Sequence, residues 1–147
     1  MSNKKHVQII SCGPGLSDIN TRYGRSYDWV SSMINDKVGS IEIVKVYNDE
    51  LPSFKPENIW IITGSRYSVY DDINWINSFS DAIEMGIDLN ISILGICFGH
   101  QIICNALGAT VENNSMGWEI GSSNVCLTEK GKDSALFNYF KPTFSVY

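Results

Sequence analysis

The sequence predicts a single α/β domain over residues 1–147, with a mostly parallel sheet covered by helices on both faces. Apolar, β-branched runs alternate along the chain with segments whose apolar residues recur at helical spacing. The runs are close to continuously apolar, which is typical of parallel strands buried on both faces. A length of 147 residues without repeats or linkers suits one domain with its own core.

Four runs predict the strands of this sheet. The second run alternates apolar and polar residues, which indicates an edge strand with one exposed face. The ligand crevice of a parallel sheet lies at the carboxyl ends of its strands, so residues that follow the third and fourth strands are candidates for a site. The predicted strands are 7–12, 41–47, 59–62 and 91–96.

Apolar residues at helical spacing predict three helices, with a polar loop between the first strand and the first helix. The first helix ends near Gly39, and the second is capped by Asp71 or Asp72 and ends at Gly86. The third closes at Gly108. Further on, the pattern predicts strands at 109–112 and 123–127, a short helical turn at 135–137 and the start of a strand at 143–147.

The segment Gly95-Ile96-Cys97-Phe98-Gly99 places a cysteine where a strand turns directly into a helix. This is the thiol version of the Gly-x-Ser-x-Gly nucleophile elbow. Glycine is needed on both sides because a side chain there would collide as the strand and helix come together. The helix N-terminus favours thiolate over thiol at the apex. The alternative is a buried cysteine in a turn that needs glycine.

Composition and charge argue against several classes of function. The net charge is −5, and Lys4-Lys5 is the only basic cluster, so neither nucleic acid nor an anionic membrane is expected as a partner. No segment has the length of a bilayer span or the core of a signal peptide, and no Cys-x-x-Cys pair occurs. We therefore expect a cytoplasmic protein with reduced thiols. No cofactor motif is visible, and no metal site is expected because the Cys97, His100 and Cys104 face lacks a second ligand pair.

Three segments in order resemble the class I glutamine amidotransferase domain. They are Gly-Ile-Cys-Phe-Gly-His-Gln at 95–101, Ile-Thr-Gly-Ser at 62–65 with Val-Tyr-Asp-Asp at 69–72, and Gly-Trp-Glu-Ile-Gly at 117–121. The chain is most similar to the stand-alone GMP-synthase-like branch, which includes γ-glutamyl peptidases. The similarity runs from the third strand almost to the chain end. It implies a flavodoxin-like sheet of the class I glutamine amidotransferase type.

By this resemblance, Cys97 is the catalytic nucleophile that attacks the side-chain amide of glutamine. Ammonia leaves, and a γ-glutamyl thioester forms that is hydrolysed or passed to another amine. The resemblance also implies an oxyanion hole formed by the backbone N–H groups of Gly64 and Phe98.

The same resemblance implies that Gln101, Gly117 and Trp118 bind the amino-acid end of the substrate. For Gln101 the alternative is a solvated side chain on the first helical turn. For Trp118 the alternative is an aromatic residue packed in the core of a hairpin.

The base that such a cysteine requires is not found in a matching motif. In the family it is a histidine in a His-Pro-Glu or similar motif far downstream, and the histidines of this sequence are His6 and His100. His6 opens the first strand at the wrong edge of the sheet, and the helix fixes the direction of His100. We therefore expect a C-terminally truncated domain whose final strands and helices, including the catalytic His and Glu, are missing.

The predicted function is hydrolysis of a glutamine or γ-glutamyl amide through a cysteine thioester, with release of ammonia or transfer of the glutamyl group. The expected partners are this substrate, a synthetase or complementing chain, and a second copy in a homo-oligomer. The alternative is a catalytically silent remnant that acts as a binding or interaction module. A different cysteine-elbow protein, similar to stress-response and protease relatives, fits the Thr-Gly-Ser and Gly-Trp-Glu segments less well.

Overall fold

The computed structural model describes residues 5–146. The chain divides into two compact units, Met1–Glu112 and Asn113–Tyr147, and each is described by itself. That residues 1–147 form one domain stays a prediction. The elements of the first unit are β1 (His6–Ser11), α1 (Ser17–Tyr23), α2 (Ser26–Ile34), β2 (Ser40–Lys45), a 3-10 turn (Val46–Asn48), β3 (Ile59–Ile62), α3 (Asn74–Asp88), β4 (Ser92–Gly95) and α4 (Phe98–Ala106).

The four strands of the first unit form one sheet in the order β2-β1-β3-β4, and every neighbouring pair is parallel. In the centre, Ile9 lies opposite Ile43 of β2 and Ile61 of β3. The predicted parallel sheet and the edge position of the second strand are confirmed. Ile62 and Gly95 are opposite each other where β3 and β4 end, so the segments that follow these strands emerge side by side.

Helices cover both faces of this sheet, as predicted. On one face, α3 and α4 pack through fully buried side chains such as Phe79 and Ile102 onto Trp60. On the other face, α2 packs through Tyr27 onto Val7 of β1 and its neighbours. Burial of these apolar side chains is the main favourable contribution to folding of the first unit.

A buried polar network, which the sequence analysis did not predict, surrounds the side chain of Gln8 in β1. The side chain of Gln8 is 1% exposed, and its Oε1 accepts hydrogen bonds from Trp60 Nε1 at 3.1 Å and from the backbone N–H and hydroxyl of Ser53, each at 3.1 Å. Its Nε2 donates to Glu42 Oε2 at 2.7 Å. The network joins β1, β2, β3 and the loop before β3.

The predicted polar loop after β1 is wrong, because Ser17–Tyr23 form helix α1. This helix buries none of its residues, so it lacks the apolar stripe by which sequence patterns reveal helices. The predicted acidic cap of α3 is also wrong, since Ile73 occupies the N-cap in an extended conformation. The Asp71 carboxylate instead accepts a hydrogen bond at 2.8 Å from the backbone N–H of Ser68, in the turn before the helix.

Gly86 lies inside α3 rather than at its end. A Cβ atom there would lie 2.6 Å from the Trp60 ring, so the glycine permits close packing of the helix on β3. Residues 109–112, predicted as a strand, form none; Val111 is half-buried against the core instead.

The second unit contains β5 (Ser123–Cys126), α5 (Glu129–Lys132), a 3-10 turn (Ala135–Phe137) and β6 (Thr143–Val146). β5 and β6 are antiparallel. The Phe140 ring lies between those of Phe137 and Phe144, with centroid distances of 5.6 and 5.0 Å. The predicted strands and helical turn in this region are confirmed, and Tyr147 lies outside the described residues. None of the helices in residues 5–146 combines the length and apolar character needed to cross a bilayer.

Candidate active site

Cys97 is the second of the two residues between the end of β4 at Gly95 and the start of α4 at Phe98. Its backbone has φ 56° and ψ −111°, a left-handed conformation that is uncommon outside glycine. Backbone of this kind costs about 1–3 kcal/mol and is concentrated at functional sites. The Cys97 side chain is exposed, whereas that of Cys12 is fully buried. The alternative of a buried structural cysteine at position 97 is therefore wrong.

Two glycines allow the strand and the helix to meet at this turn. A Cβ atom at Gly95 would lie 2.4 Å from the backbone C and O atoms of Gly99. A Cβ atom at Gly99 would lie 2.4 Å from the carbonyl oxygen of Ile62 in β3. Real Cβ atoms do not approach that closely, so the predicted steric role of both glycines is confirmed.

The first turn of α4 is anchored in the core directly after the cysteine. The Phe98 side chain is 1% exposed, and its ring lies 5.9 Å from that of Trp75. The Gln101 N–H donates to the Cys97 carbonyl at 3.1 Å, which begins the helical hydrogen-bond ladder. As the first residue of α4, Phe98 has a backbone N–H without an intrahelical acceptor.

The loop after β3 brings Gly64 against Cys97. A Cβ atom on Gly64 would lie 3.5 Å from Cys97 Cβ and 3.9 Å from its Sγ, which is ordinary van der Waals contact. Thr63 Oγ1 accepts from the Cys12 N–H at 3.2 Å and donates to the Gly64 carbonyl at 3.1 Å. Ser65 Oγ donates to the Cys12 carbonyl at 2.6 Å. The loop is thus held on both sides of Gly64, whose own N–H makes none of the hydrogen bonds found among residues 5–146.

Neither imidazole is directed to Cys97 within the described part of the chain. The ring nitrogens of His6 lie 2.7 Å from Ser40 Oγ and 3.2 Å from Glu42 Oε2, at the amino end of β1. The exposed His100 ring lies 3.8 and 3.9 Å from Cys104 Sγ, one turn further along α4. The predicted position of His6 at the edge of the sheet away from Cys97 is confirmed, and His100 lies against Cys104.

The three residues implied to bind the amino-acid end of the substrate fall in different places. Gln101 is exposed on the first turn of α4, close in sequence to Cys97. Gly117, at φ 90°, and Trp118, which is 95% exposed, belong to the second unit. Trp118 is not packed in a hairpin core, so that alternative is wrong. The substrate role of all three residues stays a prediction.

A cavity of about 270 Å³ opens beside Gly64, beyond the carboxyl ends of β1 and β3. Its walls come from the loop after β1, from α1 and α2, and from the loop after β3. Sequence reasoning missed this cavity because it treated α1 as a loop. In residues 5–146 no cluster of three or more His, Cys, Asp or Glu side chains could hold a metal ion.

The parallel sheet and the exposed cysteine between β4 and α4 define an α/β protein with a strand–turn–helix cysteine site. The chain belongs to the class I glutamine amidotransferase family, whose model, described as "Glutamine amidotransferase class-I", matches residues 25–147. The resemblance inferred from the sequence is therefore confirmed.

Individual relatives agree with this family. The chain is 32% identical over 142 residues to a glutamine amidotransferase-like protein of Schizosaccharomyces pombe, covering 86% of this chain and 57% of that protein. It is 27% identical over 133 residues to γ-glutamyl peptidase 4 of Arabidopsis thaliana, covering 88% and 53%. The chain thus spans about half the length of these curated relatives. A crystal structure of a glutamine amidotransferase from Thermotoga maritima superposes with a TM-score of 0.78 at 21% identity, covering 98% of this chain and 59% of that one, and shows the shared fold.

Proposed function

We propose that this chain carries the nucleophile and oxyanion-binding half of a site that cleaves glutamine or γ-glutamyl amides through a cysteine thioester. The observation that carries the proposal is the exposed Cys97 at a strained strand-to-helix turn, in van der Waals contact with the Gly64 position. Membership of the class I glutamine amidotransferase family and similarity to a γ-glutamyl peptidase support it.

In the proposed reaction the Cys97 thiolate attacks the γ-carbonyl carbon, and the carbonyl electron pair moves to oxygen. The oxyanion accepts hydrogen bonds from the Phe98 N–H, which has no intrahelical acceptor, and from the Gly64 N–H. When the carbonyl re-forms, the C–N bond breaks, and the leaving nitrogen takes up a proton as ammonia or an amine. Water then adds to the thioester, the C–S bond breaks, and the products are a γ-carboxylate and the free thiol.

The base in this proposal lies outside residues 5–146. His100 is the nearest imidazole in sequence, but its ring lies beside Cys104, and His6 is bonded at the opposite edge of the sheet. A histidine supplied by a further segment or by a complementing chain would take the thiol proton and return it to the leaving nitrogen.

A second candidate function follows from the same observation. Without an imidazole at Cys97, the described residues are also compatible with a catalytically silent module that binds glutamine or a partner protein. The two candidates differ in the reactivity of the thiol toward a substrate-shaped electrophile.

The test is covalent labelling by an α-diazoketone analogue of glutamine in the presence of excess imidazole, which replaces the base that residues 5–146 do not supply, followed by mass spectrometry of the digested protein. The proposed function requires the label on Cys97 and its loss in Cys97→Ser. Cys104→Ser is the matched control, because Cys104 lies half-buried on the same helix, and it should leave labelling within about two-fold. Absence of label while iodoacetamide still alkylates Cys97 would contradict catalysis and favour the silent module.

A further inference from the structure

We propose that the cavity beside Gly64 binds the part of the substrate that lies beyond the γ-glutamyl amide. The ligand we infer is a γ-glutamyl amino acid whose second residue carries an apolar or aromatic side chain and a free carboxylate. This inference rests on the proposed function, because it assumes that the γ-carbonyl carbon is held at Cys97.

Gly64 lies next to both the cavity and Cys97, and this fixes the position of the cavity relative to the thiol. Gly64 lines the cavity, and its Cβ position is 3.9 Å from Cys97 Sγ. A carbonyl carbon held at the sulfur therefore lies next to the cavity wall. Cys97 itself does not line the cavity, and we infer that the substituent on the leaving nitrogen extends past Gly64 into this space of about 270 Å³. This is just below the roughly 300–1,000 Å³ of whole-ligand pockets, so it suits one amino-acid residue.

The walls contributed by α1 and α2 expose mainly apolar surface, although Asn20 and Ser26 also line the cavity. Leu16, Ile19 and Trp29 line the cavity while remaining 57%, 42% and 48% exposed. Helix α1 buries none of its residues, so Ile19 faces the cavity instead of the core. Trp29 Nε1 donates to the Tyr23 carbonyl at 2.5 Å, which fixes the indole between the two helices. An apolar side chain placed here would remove these surfaces from water.

Arg66 gives the cavity its only charge. It follows Gly64 and Ser65 in the loop after β3, and no Asp or Glu lines the cavity. Among residues 5–146 its guanidinium forms no ion pair and no side-chain hydrogen bond, and it is exposed. A guanidinium with all its donors available matches the planar, bidentate geometry of a carboxylate. The α-carboxylate of the second residue supplies that group.

Calorimetry on the Cys97→Ser chain, which cannot turn the ligand over, tests this assignment with three ligands. We expect γ-glutamyl-phenylalanine to bind about tenfold more tightly than γ-glutamyl-glycine, which lacks the ring. We expect the same factor, about tenfold, over γ-glutamyl-phenethylamide, which lacks the carboxylate. Added to Cys97→Ser, Arg66→Gln should abolish the second preference and keep the first.

Arg22→Gln is the matched control. Arg22 is an exposed α1 residue that lies over the Tyr23 ring and does not line the cavity, so both preferences should persist. Equal affinities for the three ligands, no binding, or equal effects of Arg66→Gln and Arg22→Gln would each overturn the inference. Diazoketone labelling of the wild-type chain separates the two proposals. If Cys97 is labelled but the three ligands bind with equal affinity, the proposed function stands and the cavity assignment is wrong. If the affinity differences are found but Cys97 is not labelled, only the proposed catalysis is contradicted.

Discussion

Replacing Gly99 by Ala tests the steric origin of the turn that holds Cys97. The new Cβ would lie 2.4 Å from the Ile62 carbonyl oxygen and 2.9 Å from its carbonyl carbon, both backbone atoms of a buried strand. To remove this steric clash, α4 must move by about 1 Å. Overpacking of this kind lowers the free energy of unfolding by about 1–3 kcal/mol, sometimes more. Replacing a helical glycine by alanine raises the free energy of unfolding by about 1 kcal/mol, which offsets part of this loss. Because backbone cannot rotate away as a side chain can, we expect the upper end of the range, a net loss of about 2 kcal/mol in the free energy of unfolding.

Urea unfolding followed by tryptophan fluorescence measures this loss through the shift in midpoint. Gly108→Ala is the control: its φ is 81° and nothing lies within 4 Å of the new Cβ, so only backbone strain of about 1 kcal/mol applies. The reasoning is refuted if Gly99→Ala is neutral or stabilising, or if it loses no more than Gly108→Ala.

Three further substitutions have defined outcomes. Gln8→Met should lower the free energy of unfolding, measured in urea, by about 2–4 kcal/mol, because it leaves the buried Trp60 N–H and the other donors to Gln8 without an acceptor. A loss below about 1 kcal/mol would contradict a stabilising role of the Gln8 network. Burial raises the pKa of the Cys12 thiol far above its usual range. As the pH rises, the unfolded chain therefore loses this proton before the folded chain does. The free energy of unfolding should then fall by up to about 1.4 kcal/mol per pH unit above about pH 8.5. Cys12→Ala should lack this component of the pH slope in denaturation midpoints, and an unchanged slope would refute it. Thr63→Val should cost about 1–3 kcal/mol and slow diazoketone labelling of Cys97, because it releases the Gly64 loop; Thr63→Ser should retain most of both.

The four strands of the parallel sheet, the edge position of β2 and the cysteine turn were accessible from sequence because each has a local signature. Continuous apolar runs identify β1, β3 and β4, and alternation identifies β2 as an edge strand. Gly95 and Gly99 mark the turn, since only glycine permits the observed backbone approach.

Other features depend on tertiary partners and have no local pattern. Helix α1 buries no residue, so nothing periodic distinguishes it from a loop. Gly86 resembles a helix end, although its role is to admit Trp60. The Gln8 network joins residues up to 52 positions apart. The cavity next to Gly64 needs α1, α2 and two loops in place before it exists, so it could not be derived from any one segment.

The central claim is that the thiol at the β4–α4 turn accepts a γ-glutamyl group. Intact-protein and peptide mass spectrometry after rapid acid quench of the chain mixed with glutamine and excess imidazole, which replaces the base that residues 5–146 do not supply, tests it most directly. The account predicts one γ-glutamyl adduct on the Cys97 peptide, removed by hydroxylamine and absent from Cys97→Ser. An adduct on Cys104 or Cys126, or none under conditions in which the glutamine diazoketone also fails to react, would contradict it.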